Sequence, residues 1–136
     1  FCGYNLGDYF RHWIRMRRYL RFIPRIFCVN WFRRDAEGNF LWPGYGENMR
    51  VLKWIFDRCN GRAGAEEAPL GWVPRAQDFD LTGLPQFTRA HLDEAQSISV
   101  EEWKKEILEE NELLFKLHDS IPKELIFQRE LLVARL

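Results

Sequence analysis

The sequence predicts a mainly helical α+β fold with a few short strands. Three observations carry that expectation. Apolar residues recur at helical spacing in several separate segments, capping residues precede those segments, and a single short β-branched and aromatic run is followed by turn-forming residues. A chain of 136 residues is long enough for one domain with a modest core. With 46% hydrophobic and 15% aromatic residues it is not a disordered tail. No internal repeat or low-complexity tract is visible.

The elements follow in order. Asp8 is placed to cap a first helix that runs to about Leu20, with Phe10, Trp13, Ile14 and Leu20 as its apolar stripe and Arg11, Arg15 and Arg18 elsewhere on its surface. Pro24 stops it. The run from Arg25 to Phe32 has the composition of a buried strand, the stretch Asp35 to Asn39 reads as the turn after it, and Phe32 therefore falls at a strand end. Beyond the Pro43-Gly44-Tyr45-Gly46 loop, Asn48 can cap a helix with Val51, Leu52, Ile55 and Phe56 facing inward, and Gly61 fits its C-terminal stop. Residues from Gly61 to Pro85 read as a connector, punctuated by Pro69, Gly71, Pro74 and Gly83, with one short strand at Leu70 to Val73. Ser99-Val100-Glu101-Glu102 is a capping box, and Ile98 can staple onto Trp103, so a helix over about 100–118 is the firmest local expectation, its acidic residues solvated. Pro122 suits a first helical position, and Leu125, Leu131, Leu132 and Leu136 give the last helix an apolar face.

Charge and cysteine usage narrow the function classes. The formal net charge is zero, yet residues 1–62 hold twelve Lys/Arg against five Asp/Glu, and residues 63–136 hold eight against fifteen. A basic half can attract phosphates through its long-range field, or its arginines can form a solvated face matched by acidic neighbours. Cys2, Cys28 and Cys59 are odd in number and widely spaced, which fits neither a disulfide framework nor a metal-binding pair, so reduced intracellular thiols are expected. His12, His91 and His118 lack the spacing of a metal site. No apolar run approaches the length of a membrane span. The opening Phe1-Cys2-Gly3-Tyr4 lacks a methionine and a leader pattern, and reads as a cut start.

The stretch from Asn30 to Asn48 is the most informative. Five of its side chains are aromatic and lie among turn-forming glycines: Trp31, Phe32, Phe40, Trp42 and Tyr45. Aromatic faces hold planar bases by stacking, worth about 1–3 kcal/mol per base, and glycines let backbone groups approach a base edge. The same rings could simply fill a core.

The string NWFRRD-EG-FLWPGYGEN-RVL resembles the guanine-binding segment of the GTP-dependent phosphoenolpyruvate carboxykinases, and the resemblance extends from Gly3-Tyr4-Asn5 to the end of the chain. The motif is long and specific. It implies that residues 1–136 are the C-terminal part of that family's mixed α/β nucleotide-binding domain, with a guanine-recognition segment at 30–48 and a helical tail at 99–136. It implies further that guanine is sandwiched between Phe32 and Tyr45, at a face-to-face separation of about 7 Å, twice a van der Waals contact. Phe40 packs nearby, and the Asn48 region reads the base edge. Trp31 and Trp42 support the loop from behind or touch the base, and Tyr4 and Asn5 are turn and packing residues. Tyr45 stands where many relatives are expected to have phenylalanine, which keeps the stacking face and adds a hydroxyl that needs solvent or a partner.

The implied reaction converts oxaloacetate and GTP into phosphoenolpyruvate, carbon dioxide and GDP: decarboxylation leaves an enolate that takes the γ-phosphoryl group, serving gluconeogenesis or anaplerosis. Manganese or magnesium and cationic clamps stabilise that charge. The family supplies them from a P-loop, a lysine, histidine and aspartate metal set, substrate-binding arginines and a lid, for which this chain has no matching motif. No catalytic residue and no metal ligand is therefore expected within it, and no turnover by this chain alone. The expected partners are a guanine nucleotide and the upstream remainder of a monomeric parent, not nucleic acid or membrane. The expected compartment is the cytoplasm, with the mitochondrial matrix as the alternative. A different class of reading is a non-catalytic helical interaction module whose aromatic face binds a protein or a second copy. A nucleic-acid binder, suggested by Arg15-Met16-Arg17-Arg18, is opposed by the acidic second half.

Overall fold

The computed structural model describes residues 3–136. Phe1 and Cys2, and with them the apparent cut start and one of the three thiols, lie outside the described residues, as does the side chain of His118. Five α-helices and one two-stranded antiparallel sheet are described: α1 (Leu6–Tyr19), α2 (Asn48–Cys59), β1 (Ala65–Ala68), β2 (Gly71–Pro74), α3 (Arg89–Gln96), α4 (Val100–Leu117) and α5 (Lys123–Arg135). The mainly helical α+β expectation holds. The chain divides into two compact units, one made of residues 25–97 and the other of residues 3–24 with 98–136.

In the second of these units α1 starts three residues earlier than its sequence suggests. Asn5 is the cap, its Oδ1 accepting the Gly7 N–H at 2.7 Å, and Asp8 sits in the first turn, where its charge suits the helix dipole. Gly7 is buried, and a Cβ there would run into the Ser120 carbonyl, so a side chain cannot fit. Phe10 and Ile14 are half-buried, whereas Trp13 and Leu20 of the expected stripe are exposed. Helix α4 begins as expected, the Glu102 N–H reaching Ser99 Oγ at 3.3 Å, and Ile107 is its buried residue. Its glutamates at 101, 102, 106, 109, 110 and 112 are solvated. Pro122 is the residue before α5 rather than its first helical position, and Leu125 and Leu132 face inward more than Leu131 does.

The unit of residues 25–97 is built on Trp54, Ala63, Phe79, Phe87 and Leu92, with Phe27, Trp42, Val51 and Ile55 packed against them. Phe87 is 1% exposed. Val51 and Ile55 face inward as expected, but Leu52 and Phe56 point outward, because Trp54 takes the centre of the buried face of α2. Asn60 and then Gly61, at φ +72°, end the helix. The strand expected at 25–32 does not form. Its composition is favourable, but no other segment among the described residues pairs with it, and without a ladder its backbone stays irregular. Phe27 still packs edge-on against Trp54 at 6.0 Å. Phe32 thus lies in a turn instead of at a strand end. The supposed connector contains β1 as well as β2, paired Ala65 to Pro74 through Ala68 to Gly71, and α3 follows unforeseen.

Candidate functional site

The loop after the irregular 25–32 segment is fixed by short-range polar contacts. The Phe32 N–H donates to Asn30 Oδ1 at 3.0 Å, closing a side-chain turn. Asp35 then organises the reversal: its N–H donates to the Asn39 carbonyl at 2.9 Å, and its carboxylate accepts from the Asn39 N–H at 2.8 Å and from Asn39 Nδ2 at 3.3 Å. Gly38 turns at φ +86°, a conformation that side chains rarely adopt. Burial raises the Asp35 carboxyl, but the hydrogen bonds from the Asn39 backbone and side chain and from the Glu37 and Gly38 backbones outweigh it and hold the group below its ordinary value of 3.8. An isolated bridge between Arg34 and Phe40 completes the turn.

This reversal brings two of the expected base-binding residues together. Phe32 and Phe40 meet edge to face, with ring centroids 6.1 Å apart and planes 65° apart, and they are 72% and 52% exposed. Arg34 lies over Phe40 at 4.1 Å, so its guanidinium covers part of that ring. Arg33 reaches back to the end of α3, donating to the carbonyls of Ala95 and Ser97 and to Ser97 Oγ, which ties the loop to the unit that carries it. Tyr45, 91% exposed, opens a short 3-10 turn (Tyr45–Glu47) after Gly44, whose φ of +123° is a glycine conformation. It pairs with neither Phe32 nor Phe40 among the described ring contacts.

Behind the exposed rings stands a second aromatic layer. Trp42 packs 5.7 Å from Trp31 and edge-on to Phe87 at 5.2 Å and Phe79 at 6.3 Å, while Phe87 stacks on His91 at 5.8 Å. A cavity of about 130 Å³ lies there, lined by these indoles, Phe79, Phe87 and Leu92. Gln96 also borders it, with its Nε2 buried and without a hydrogen-bond partner. Trp42 sends its Nε1–H to Asn48 Oδ1 at 2.8 Å. Asn48 is therefore not a helix cap: it is the first helical residue of α2, at φ −57° and ψ −30°, and its oxygen is engaged by the indole. Arg50 steadies that end of α2, donating to Glu47 Oε2 at 2.6 Å and to the Asp80 carbonyl at 3.0 Å.

Sequence reasoning named the exposed rings Phe32, Phe40 and Tyr45 and gave Trp31 and Trp42 a supporting place, but it missed the other groups around them. Arg33, Arg34 and Phe87 were not singled out, and only the polar edge of Trp42, which needs an acceptor once the ring is half-buried, could have pointed to Asn48. His91 serves locally, its Nδ1 accepting the Thr88 N–H at 3.1 Å in the capping box of α3, and His12 lies beside Trp13 at 6.1 Å. Cys28 and Cys59 are free and exposed. Among the described residues no three His, Cys, Asp or Glu side chains are grouped to hold a metal ion. No helix among them is long and apolar enough to cross a membrane.

The loop and its backing lie within a recognised sequence family. The family model described as the phosphoenolpyruvate carboxykinase C-terminal P-loop domain matches residues 1–135. The chain belongs to the GTP-dependent phosphoenolpyruvate carboxykinase family. It is 48% identical over 139 residues to the phosphoenolpyruvate carboxykinase [GTP] of Treponema pallidum (strain Nichols), a match spanning 100% of this chain and 22% of that protein. It is 47% identical over 135 residues to the protein of the same name from Anaeromyxobacter dehalogenans (strain 2CP-1), spanning 99% of this chain and 22% of the relative. To that of Arthrobacter sp. (strain FB24) it is 44% identical over 138 residues, again over 22% of the relative. The chain thus spans about a fifth of the length of the curated relatives it matches.

Proposed function

We propose that this chain is the guanine-recognition part of an enzyme that converts oxaloacetate and GTP into phosphoenolpyruvate, carbon dioxide and GDP. The observation that carries the reading is the exposed Phe32–Phe40 pair, held on a polar-locked loop whose Trp31 packs on Trp42, in a chain of this family. Large aromatic rings left in solvent on an ordered loop offer a flat ligand a stacking face before it arrives. In this reading Phe32 supplies one face, Tyr45 turns in from solvent to supply the other, Phe40 fills beside them, and Asn48 meets the base edge. The phosphates, the metal and the oxaloacetate belong to the remainder of the parent, which works in the cytoplasm or the mitochondrial matrix.

The test is calorimetric titration of GTP into the full-length protein that carries this chain. Phe32→Ala removes a stacking face and is expected to weaken GTP binding by about 1–3 kcal/mol. Tyr45→Phe keeps the ring and is expected to cost little. Unchanged affinity in a folded Phe32→Ala protein rejects Phe32 as the platform. A large loss in Tyr45→Phe assigns recognition to its hydroxyl instead of its ring.

A further inference from the structure

We propose that Trp42 is a positioning residue that fixes the Asn48 carboxamide with its oxygen inward and its amino group outward, so that Asn48 offers a purine edge only donors. The inference rests on the base-recognition reading above. It adds which end of the amide faces the base and what sets that orientation.

An indole N–H can donate and cannot accept. The atom of Asn48 that lies 2.8 Å from Trp42 Nε1 must therefore be the oxygen, since the flipped amide would set two donors against each other. Trp42 is held in that position, its ring meeting Phe87, Phe79 and Trp31 at 5.2, 6.3 and 5.7 Å. Asn48 is equally constrained as the first residue of α2, a helix anchored by the 5%-exposed Trp54 and tied down by the Arg50–Glu47 ion pair at 2.6 Å. No hydrogen bond among the described residues engages Asn48 Nδ2, which leaves it for a ligand.

Guanine carries acceptors at O6 and N7 where adenine carries the N7 acceptor and an amino donor. A donor-only amide pairs with O6. Against adenine it would oppose amino group to amino group, leaving both unpaired in a desolvated slot, which is how a site rejects a close analogue strongly. A free carboxamide could flip and serve either purine. Trp42 removes that freedom, so the preference for guanine depends on a residue that need not touch the base. The opposite edge of guanine, with its N1–H and N2 amino donors, would require the reverse orientation.

The experiment uses the full-length protein that carries this chain, with GTP and ATP each titrated by calorimetry. Trp42→Phe keeps an aromatic ring, smaller than the indole, and deletes the N–H. It is expected to weaken GTP by about 5- to 10-fold, the scale of one hydrogen bond, and not to weaken ATP, so the GTP-to-ATP ratio narrows. Asn48→Asp replaces the outward donor with an acceptor and is expected to weaken GTP by about tenfold or more. In an Asn48→Ala background, Trp42→Phe should leave the ratio where Asn48→Ala alone puts it. Equal losses of GTP and ATP in Trp42→Phe would reduce Trp42 to general support and overturn the proposal. Retained or tightened GTP binding in Asn48→Asp would place the oxygen toward the base and overturn it too, and that arm decides the matter if Trp42→Phe does not fold. The arms also separate the two readings. GTP affinity unchanged in Asn48→Ala removes Asn48 from base recognition altogether, whereas a loss there with Trp42→Phe silent defeats only the orientation argument.

Discussion

Asp35 shows how much of the loop depends on one carboxylate, because the reversal between Phe32 and Phe40 is organised by its contacts with Asn39. Its carboxyl is held below its ordinary value in the fold, so the sign of the pH effect is fixed. The stabilisation is fully present above the unfolded-state value and is lost as pH falls through the lower folded-state value. Nuclear Overhauser contacts between the Phe32 and Phe40 rings are expected to persist at neutral pH and to fade below about pH 4. Contacts unchanged down to about pH 2 would show that the turn holds without the charge. At this scale the sequence was only partly legible. Five rings in a glycine-bearing stretch announce a flat surface, but which ring faces out depends on partners far along the chain: Trp42 is drawn in by Phe79 and Phe87, while among the described residues Phe32 finds only Phe40 as a ring partner.

Helices were read well where their signals are local, and strands poorly because a strand exists only with a partner. Helix α4 follows directly from Ser99 and the apolar periodicity after it. Helix α3 was hidden because its capping box uses His91 where a glutamate or glutamine is the usual sign. Strand β1, Ala-Glu-Glu-Ala, has no β-forming composition. It forms because the turn through Gly71, at φ +141°, folds β2 back onto it. The run at 25–32 has the composition and lacks the partner. Because the Ser99 Oγ contact is long at 3.3 Å, Ser99→Ala is expected to fall toward the lower end of the usual capping loss of about 0.5–2 kcal/mol. Denaturant titration would measure it, and hydrogen exchange should show the loss concentrated in the first turn of α4. Stability and exchange both unchanged would mean that Ser99 does not cap.

For the chain as a whole, family membership was legible from one long motif, whereas the catalytic groups were not, since no phosphate-loop pattern occurs among its residues. The chain by itself is therefore expected to yield no phosphoenolpyruvate above blank when assayed with oxaloacetate, GTP and manganese. Turnover that scales with the purified chain and survives a second purification would show that the reacting groups lie within it. The two compact units also differ in how they can be followed. Trp31 and Trp42, two of six tryptophans, are the only two indoles in ring contact with each other among the described residues, 5.7 Å apart and tilted by 49°. Two identical chromophores so close and so skewed share their excitation, and the shared transition splits into bands of opposite handedness. This loop thus carries an optical signature of its own in the ultraviolet circular dichroism, superimposed on the signal of the helices and sensitive to any rotation of one indole against the other.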